Sequence, residues 1–185
     1  MWTAGKMFQC GNRPQKLKNH PSFANHYNNL GMVLNENEKL KEAESCFKES
    51  LRVGSQNFPP DYPRRIPWLC NYSAVLKKMG QTREAEACLF EALEICNKKL
   101  PEWHADRLLP LSGLVILKIT QNKHSEAEGL LEDCLRTLFS FEKKNGFKHA
   151  EEEDWIRVYT NLMHSRRMDY ISINVRIRNL KTETK

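Results

Sequence analysis

The sequence repeats itself at a fixed interval, and that interval decides what the chain can fold into. Three segments, 41–51, 83–93 and 125–135, align without gaps around a shared Glu-Ala-Glu core. Their central alanines, Ala43, Ala85 and Ala127, are each 42 positions apart. In every copy the alanine starts a stripe of spacing four: Ala43, Phe47 and Leu51 become Ala85, Leu89 and Leu93, then Ala127, Leu131 and Leu135. That spacing places three apolar residues on one helical face, which must be buried. A second helix precedes each stripe, over 25–34, 67–78 and 109–120. Its apolar positions Tyr27, Leu30 and Leu34 recur as Leu69, Tyr72 and Leu76, and then as Leu111, Leu114 and Lys118. Lys118 stands where an apolar residue is expected.

The turns agree with this reading. Gly80 falls between the two helices of the second repeat, where a left-handed residue ends a helix without a Cβ clash. Pro59, Pro60, Pro63 and Pro101 fall between repeats, where they stop one helix and permit the next. Each repeat is therefore a helix hairpin that cannot cover both of its faces alone, and stacking such hairpins builds one continuous core. The predicted fold is all-α: a right-handed superhelix of stacked antiparallel helix hairpins with a C-terminal capping helix. The expected organisation is a basic N-terminal arm over 1–19 and three repeats over 20–150 (about 20–61, 62–103 and 104–150). A capping helix or partial fourth repeat follows over 151–165, then a basic tail over 166–185. Trp155, Tyr159 and Leu162 read as the covering face of that helix. Residues 170–178 alternate like a strand with nothing to pair with, so the tail is expected to be flexible or ordered only by a partner.

Charge and composition remove several functional classes. The formal net charge is +6, with +4 in residues 1–35, +4 in 164–185 and a slightly acidic body between. Such a body argues against a nucleic-acid surface, leaving only the tails to touch phosphate or anionic lipid. No apolar run reaches the roughly 18 residues of a membrane span. The six cysteines form no Cys-x-x-Cys pair, and the start lacks the apolar core of a secretory signal, which favours a reducing compartment. No phosphate loop, zinc-protease pair or nucleophile elbow appears, so no enzyme, cofactor, metal or small-molecule substrate is expected. His20 and His104 match the turn between repeats and read as structural. The acidic run Glu151 to Asp154 reads as complementing a helix N-terminus, and Trp68 and Trp103 as packing.

The stretch Asn29-Leu30-Gly31, the pair Ala43 and Phe47, and Gly80 resemble the tetratricopeptide repeat signature. The 42-residue period, with His20-Pro21, Pro60-Asp61-Tyr62 and Pro101 to His104 between repeats, resembles the longer repeats of kinesin light chains and nephrocystin-like proteins. The third repeat departs from the pattern at Lys118 and at Val115, where the glycine is missing. The resemblance implies that the first helix of each hairpin lines a concave groove. By position the groove takes Asn25, Asn28, Asn29, Met32 and Asn35 from the first repeat. The second supplies Cys70, Asn71, Ala74, Lys77 and Lys78, and the third Ser112, Gly113 and Ile116. Asn29 and Asn71 are equivalent, and an amide that both donates and accepts can hold a peptide backbone whatever the ligand's side chains. The carboxylate clamp of chaperone-binding relatives is not matched: Asn28 and Met32 hold its first two places, Asn71 keeps one, and Leu109 and Gly113 replace the basic pair. The resulting expectation is a cytoplasmic adaptor or scaffold, with nuclear or cytoskeletal association compatible, that binds a partner peptide or extended segment in this groove. The alternative is a structural subunit of a larger assembly, binding through its convex face and basic tails.

Overall fold

The computed structural model describes residues 20–184; the basic arm expected over 1–19, Cys10 included, and Lys185 lie outside the described residues. Among the described residues the chain is helical throughout, with no strand. Helices α1 (Ser22–Glu36) and α2 (Leu40–Asn57) form one hairpin, and α3 (Arg65–Lys78) and α4 (Thr82–Lys99) a second. After a 3-10 turn at Ala105–Arg107, α5 (Leu108–Thr120) and α6 (His124–Asn145) form a third, and α7 (Glu152–Ser165) and α8 (Tyr170–Glu183) follow. The chain divides between Pro60 and Asp61 into two compact units.

In the first unit, Ala24, Leu34, Ala43, Phe47 and Val53 are buried between α1 and α2. Ser50 Oγ donates to the Ala24 carbonyl at 2.7 Å, which satisfies the hydroxyl inside that core. Gly31 lies against the Phe47 ring, and a Cβ there would sit 2.9 Å from two ring carbons. The absence of a side chain is what admits the large ring. In the second unit the same two positions trade size. Ser73 lies by the smaller Leu89, and Val115 shares one core with Leu131. The glycine missing from the third repeat is thus filled space rather than a lapse of the pattern.

Every hairpin closes with one geometry. Glu38 (φ 57°), Gly80 (φ 77°), Asn122 (φ 59°) and Arg167 (φ 64°) each adopt the left-handed conformation. The amide after each donates back to a carbonyl five residues earlier: Lys39 to Leu34, Gln81 to Leu76 and Lys123 to Lys118 at 2.9 Å, and Met168 to Met163 at 3.1 Å. This is the Schellman closure of a helix end. A second device marks the start of three hairpins. The ring Nδ1 of His20, His104 and His149 accepts from the amides of Ser22, Asp106 and Glu151 at 3.3, 3.2 and 3.2 Å. Each imidazole closes the turn that leads into the hairpin, and His104 is itself the N-cap of the 3-10 turn.

Two of these signals, the His149 cap and the Arg167 turn, make α7 and α8 a fourth hairpin, displaced from the 42-residue phase by three residues in 104–149. The strand-like reading of 170–178 and the unordered tail are therefore corrected: the segment is helix α8. Its residues Ile173 and Leu180 enter the core of Leu131, Leu135, Leu138, Tyr159 and Met163, with Ile177 packed beside them. The alternation of isoleucine and valine misled because a helix buries only the members at spacings of four and seven and leaves the rest outside. Asp169 caps α8 by accepting from the Ser172 amide at 2.9 Å. Three basic side chains of this segment are engaged: Arg176 pairs with Glu128 at 2.6 Å and Glu132 at 2.9 Å, Lys181 pairs with Glu142 at 2.5 Å, and Arg166 also binds Glu128.

Candidate partner-binding groove

In the second unit, α3 and α5 lie side by side as the first helices of consecutive hairpins. Between them runs a shallow groove of about 190 Å³. Cys70, Ser73, Ala74 and Lys77 of α3 form one bank, and Leu109, Ser112, Gly113, Ile116 and Leu117 of α5 the other, with Ala85 and Leu89 of α4 at the floor. Gly113 allows this floor: a Cβ there would lie 2.6 Å from Leu89 Cδ2. The hydroxyls of Ser73 and Ser112 donate to the carbonyls of Cys70 and Leu109, at 2.6 and 2.9 Å. Their hydrogens thus turn into the helix, and each oxygen keeps acceptor capacity for a ligand.

The sequence placed Cys70, Ala74, Lys77, Ser112, Gly113 and Ile116 in a groove, and the structure brings these six together. Asn71 is half-buried beside it on α3 and does not line it, and Lys78 is exposed beyond it. The α1 residues belong to the first unit. There Asn25, Asn29 and Met32 are exposed and Asn35 is half-buried, while Asn28 turns inward and donates to Asn29 Oδ1 at 3.4 Å and Met32 Sδ at 3.6 Å. Leu109, which the sequence puts at a position of the unmatched carboxylate clamp, also lines the groove. It lies seven residues before Ile116, so the same helical period that selected Ile116 also selects it.

Burial pushes the Cys70 thiol up to about 12 and the Cys88 and Cys96 thiols to about 11, so all three stay protonated and unreactive at neutral pH. No cluster of His, Cys, Asp or Glu suited to a metal occurs among the described residues, and no helix there is long and apolar enough to cross a membrane.

One position behind the groove overturns its simple apolar expectation. Lys118 is only 4% exposed, and its Nζ lies 2.5 Å from Glu86 Oε1 on α4 and 2.6 Å from Glu126 Oε2 on α6. Desolvation opposes its charge, but the two carboxylates outweigh it and hold the ammonium above its usual range. A lysine occupies the stripe because it carries its own counter-charges from both flanking helices.

Residues 22–98, which span the first two hairpins, match the tetratricopeptide repeat family. This stretch is a tetratricopeptide-repeat array. Solved structures extend the likeness of fold past it. The nearly identical TPR-like repeats of a putative kinesin light chain from Podosopora anserina superpose with a TM-score of 0.70 at 17% identity, covering 97% of this chain and 83% of that one. A variant of the same repeats gives 0.71 at 18% identity, covering 96% and 82%. BtubC (BKLC) from P. vanneervenii gives 0.72 at 15% identity, covering 88% of this chain and 65% of that one. Comparison with curated protein sequences returns no match. At these identities the structural likeness carries the fold alone, a tetratricopeptide-like solenoid. Tetratricopeptide repeats as a class bind other proteins.

Proposed function

We propose that the chain is a protein-binding adaptor that holds an extended segment of a partner along the groove between α3 and α5. The observation that carries this reading is the open apolar lining: Ile116 is 46% exposed and stands with Leu109 opposite Ala74. Lys77 at the edge favours a segment with a carboxylate beside its apolar residue. Asn71 stands beside the groove on α3 rather than in its lining, so its amide serves only a segment that extends over that bank, and Asn25 and Asn29 offer amides on the first hairpin's own surface. No cofactor and no small-molecule substrate enter this reading, and a cytoplasmic or cytoskeleton-associated setting belongs to it. For the alternative, a structural subunit binding through its convex face and basic tails, the structure offers less, since Arg166, Arg176 and Lys181 of the C-terminal segment already meet carboxylates of α6.

Affinity capture from lysate, comparing the wild type with Ile116→Asp and Asn71→Ala and read by mass spectrometry, tests the proposal. Ile116 is on the surface, so the variant should keep its helix content by circular dichroism. A partner lost from Ile116→Asp and weakened in Asn71→Ala is the expected outcome. Partners retained equally by all three proteins would sink the groove reading.

A further inference from the structure

Helix α8 turns a second, unused surface outward. Its inner face is filled by Ile173, Leu180 and the ion pairs to α6. On the opposite side Tyr170, Ile171 and Val175 are 65%, 76% and 48% exposed. With Asn174 and Arg178 they fall at i, i+1, i+4, i+5 and i+8, which makes one continuous helical surface. The edge of this patch is basic. Arg178 on α8 and Arg167 in the preceding turn have no ion-pair partner among the described residues, and the His164 ring stacks on Tyr170 at 6.5 Å. The nearby Asp169 is occupied as the helix cap, accepting from the Ser172 amide and hydroxyl. An apolar centre with a cationic edge is thus left without an acid to answer it.

We propose that this face of α8 docks an amphipathic helix of a partner protein, with aliphatic residues on its inner stripe and glutamates or aspartates flanking them. A helix suits it better than an extended segment, because the patch offers ridges of side chains and no open backbone hydrogen-bonding groups. The charge arrangement continues the one already used between α6 and α8, where carboxylates of one helix meet Arg176 and Lys181 of the next. A second copy of the chain, docked by the same face, would set arginine edges against each other and is disfavoured. The surface is distinct from the α3–α5 groove, so the two readings fail separately.

The test uses the full chain and a displayed library of helical peptides about four turns long, with leucines fixed on one stripe and every flanking position free to be Glu, Lys or Gln. Selection should enrich Glu at the flanks. Binding of the selected peptides should weaken about tenfold or more in the Ile171→Glu/Val175→Glu double variant, persist in Ile116→Asp, and be re-selected towards Lys in Arg178→Glu. These substitutions lie on an exposed face, and an unchanged circular dichroism spectrum verifies that each variant is folded. Failure to enrich any peptide, enrichment without charge bias, or equal binding to the double variant overturns the proposal. So does a dimer of the free chain in sedimentation that the double variant dissociates, since the occupant would then be a second copy.

Discussion

The third and fourth hairpins close with the same turn and are held by different forces. In the third, Leu111, Leu114, Val115, Ala127, Leu131 and Leu135 fill the space along α5 and α6. In the fourth, α7 keeps an apolar face of Tyr159, Leu162 and Met163, but α8 brings only Ile173 and Leu180 to full burial. It compensates with Arg176 and Lys181 reaching the carboxylates of α6. The backbone device, a left-handed residue at Asn122 or Arg167 with its returning hydrogen bond, is common to both. Turn geometry tolerates many side chains, whereas an apolar stripe needs particular ones. A hairpin can therefore persist after its stripe has drifted, provided something else attaches it.

The largest expected effect lies in the third hairpin. Leu114 is fully buried, and Leu114→Ala should cost about 2–5 kcal/mol, from lost transfer energy and the cavity left behind. Urea unfolding should show this as a lower midpoint that added salt does not restore. The fourth hairpin should respond in the opposite way. Arg176→Glu removes two partly exposed ion pairs and sets a carboxylate against Glu128 and Glu132, for a loss of roughly 1 kcal/mol that shrinks as salt rises. Hydrogen exchange should locate that loss in α8. If Arg176→Glu proved as costly as Leu114→Ala, or indifferent to salt, the contrast between the two hairpins would be wrong.

The same contrast sets how much of the molecule the sequence made legible. Hairpins one to three were readable because Ala43, Ala85 and Ala127 repeat in register, with an apolar residue four positions on. α8 was not, because its Ile171-Ser172-Ile173 replaces Glu-Ala-Glu and its isoleucines alternate with polar residues. His149 and its match to His104 carried the missing phase, but only the two ring-to-amide hydrogen bonds show that these histidines play the same part. In the groove, six residues carried over by repeat position came together in space, since position in a solenoid fixes which side of a helix a residue occupies. Asn28 did not follow, because its place on α1 faces inward and buries it. Lys118 was visible as a departure, yet nothing in the local sequence pairs it with Glu86, which lies 32 residues away on another helix.

Lys118 also sharpens the comparison, because it puts an ionic contact inside the apolar hairpin. Its ammonium is buried while Glu126 remains largely exposed, so Lys118→Met fills much of the same volume and leaves carboxylates that water can reach. At neutral pH that exchange should move stability by no more than about 1 kcal/mol in either direction. The pH dependence is the more decisive measurement. The folded protein holds Lys118 charged to higher pH than the 10.5 of an unperturbed lysine. Its contribution is therefore fully present below that value and lost as pH rises through the folded one. Wild type should fall relative to Lys118→Met on the alkaline side, with the two curves parallel between neutral pH and about 9. Glu126 acts on the other flank: Lys118 depresses its carboxyl, so the contribution of the pair also fades as pH drops through the carboxylate range. Curves that stay parallel through both flanks would mean the lysine is held by packing of its methylenes, and the third hairpin would then be apolar throughout.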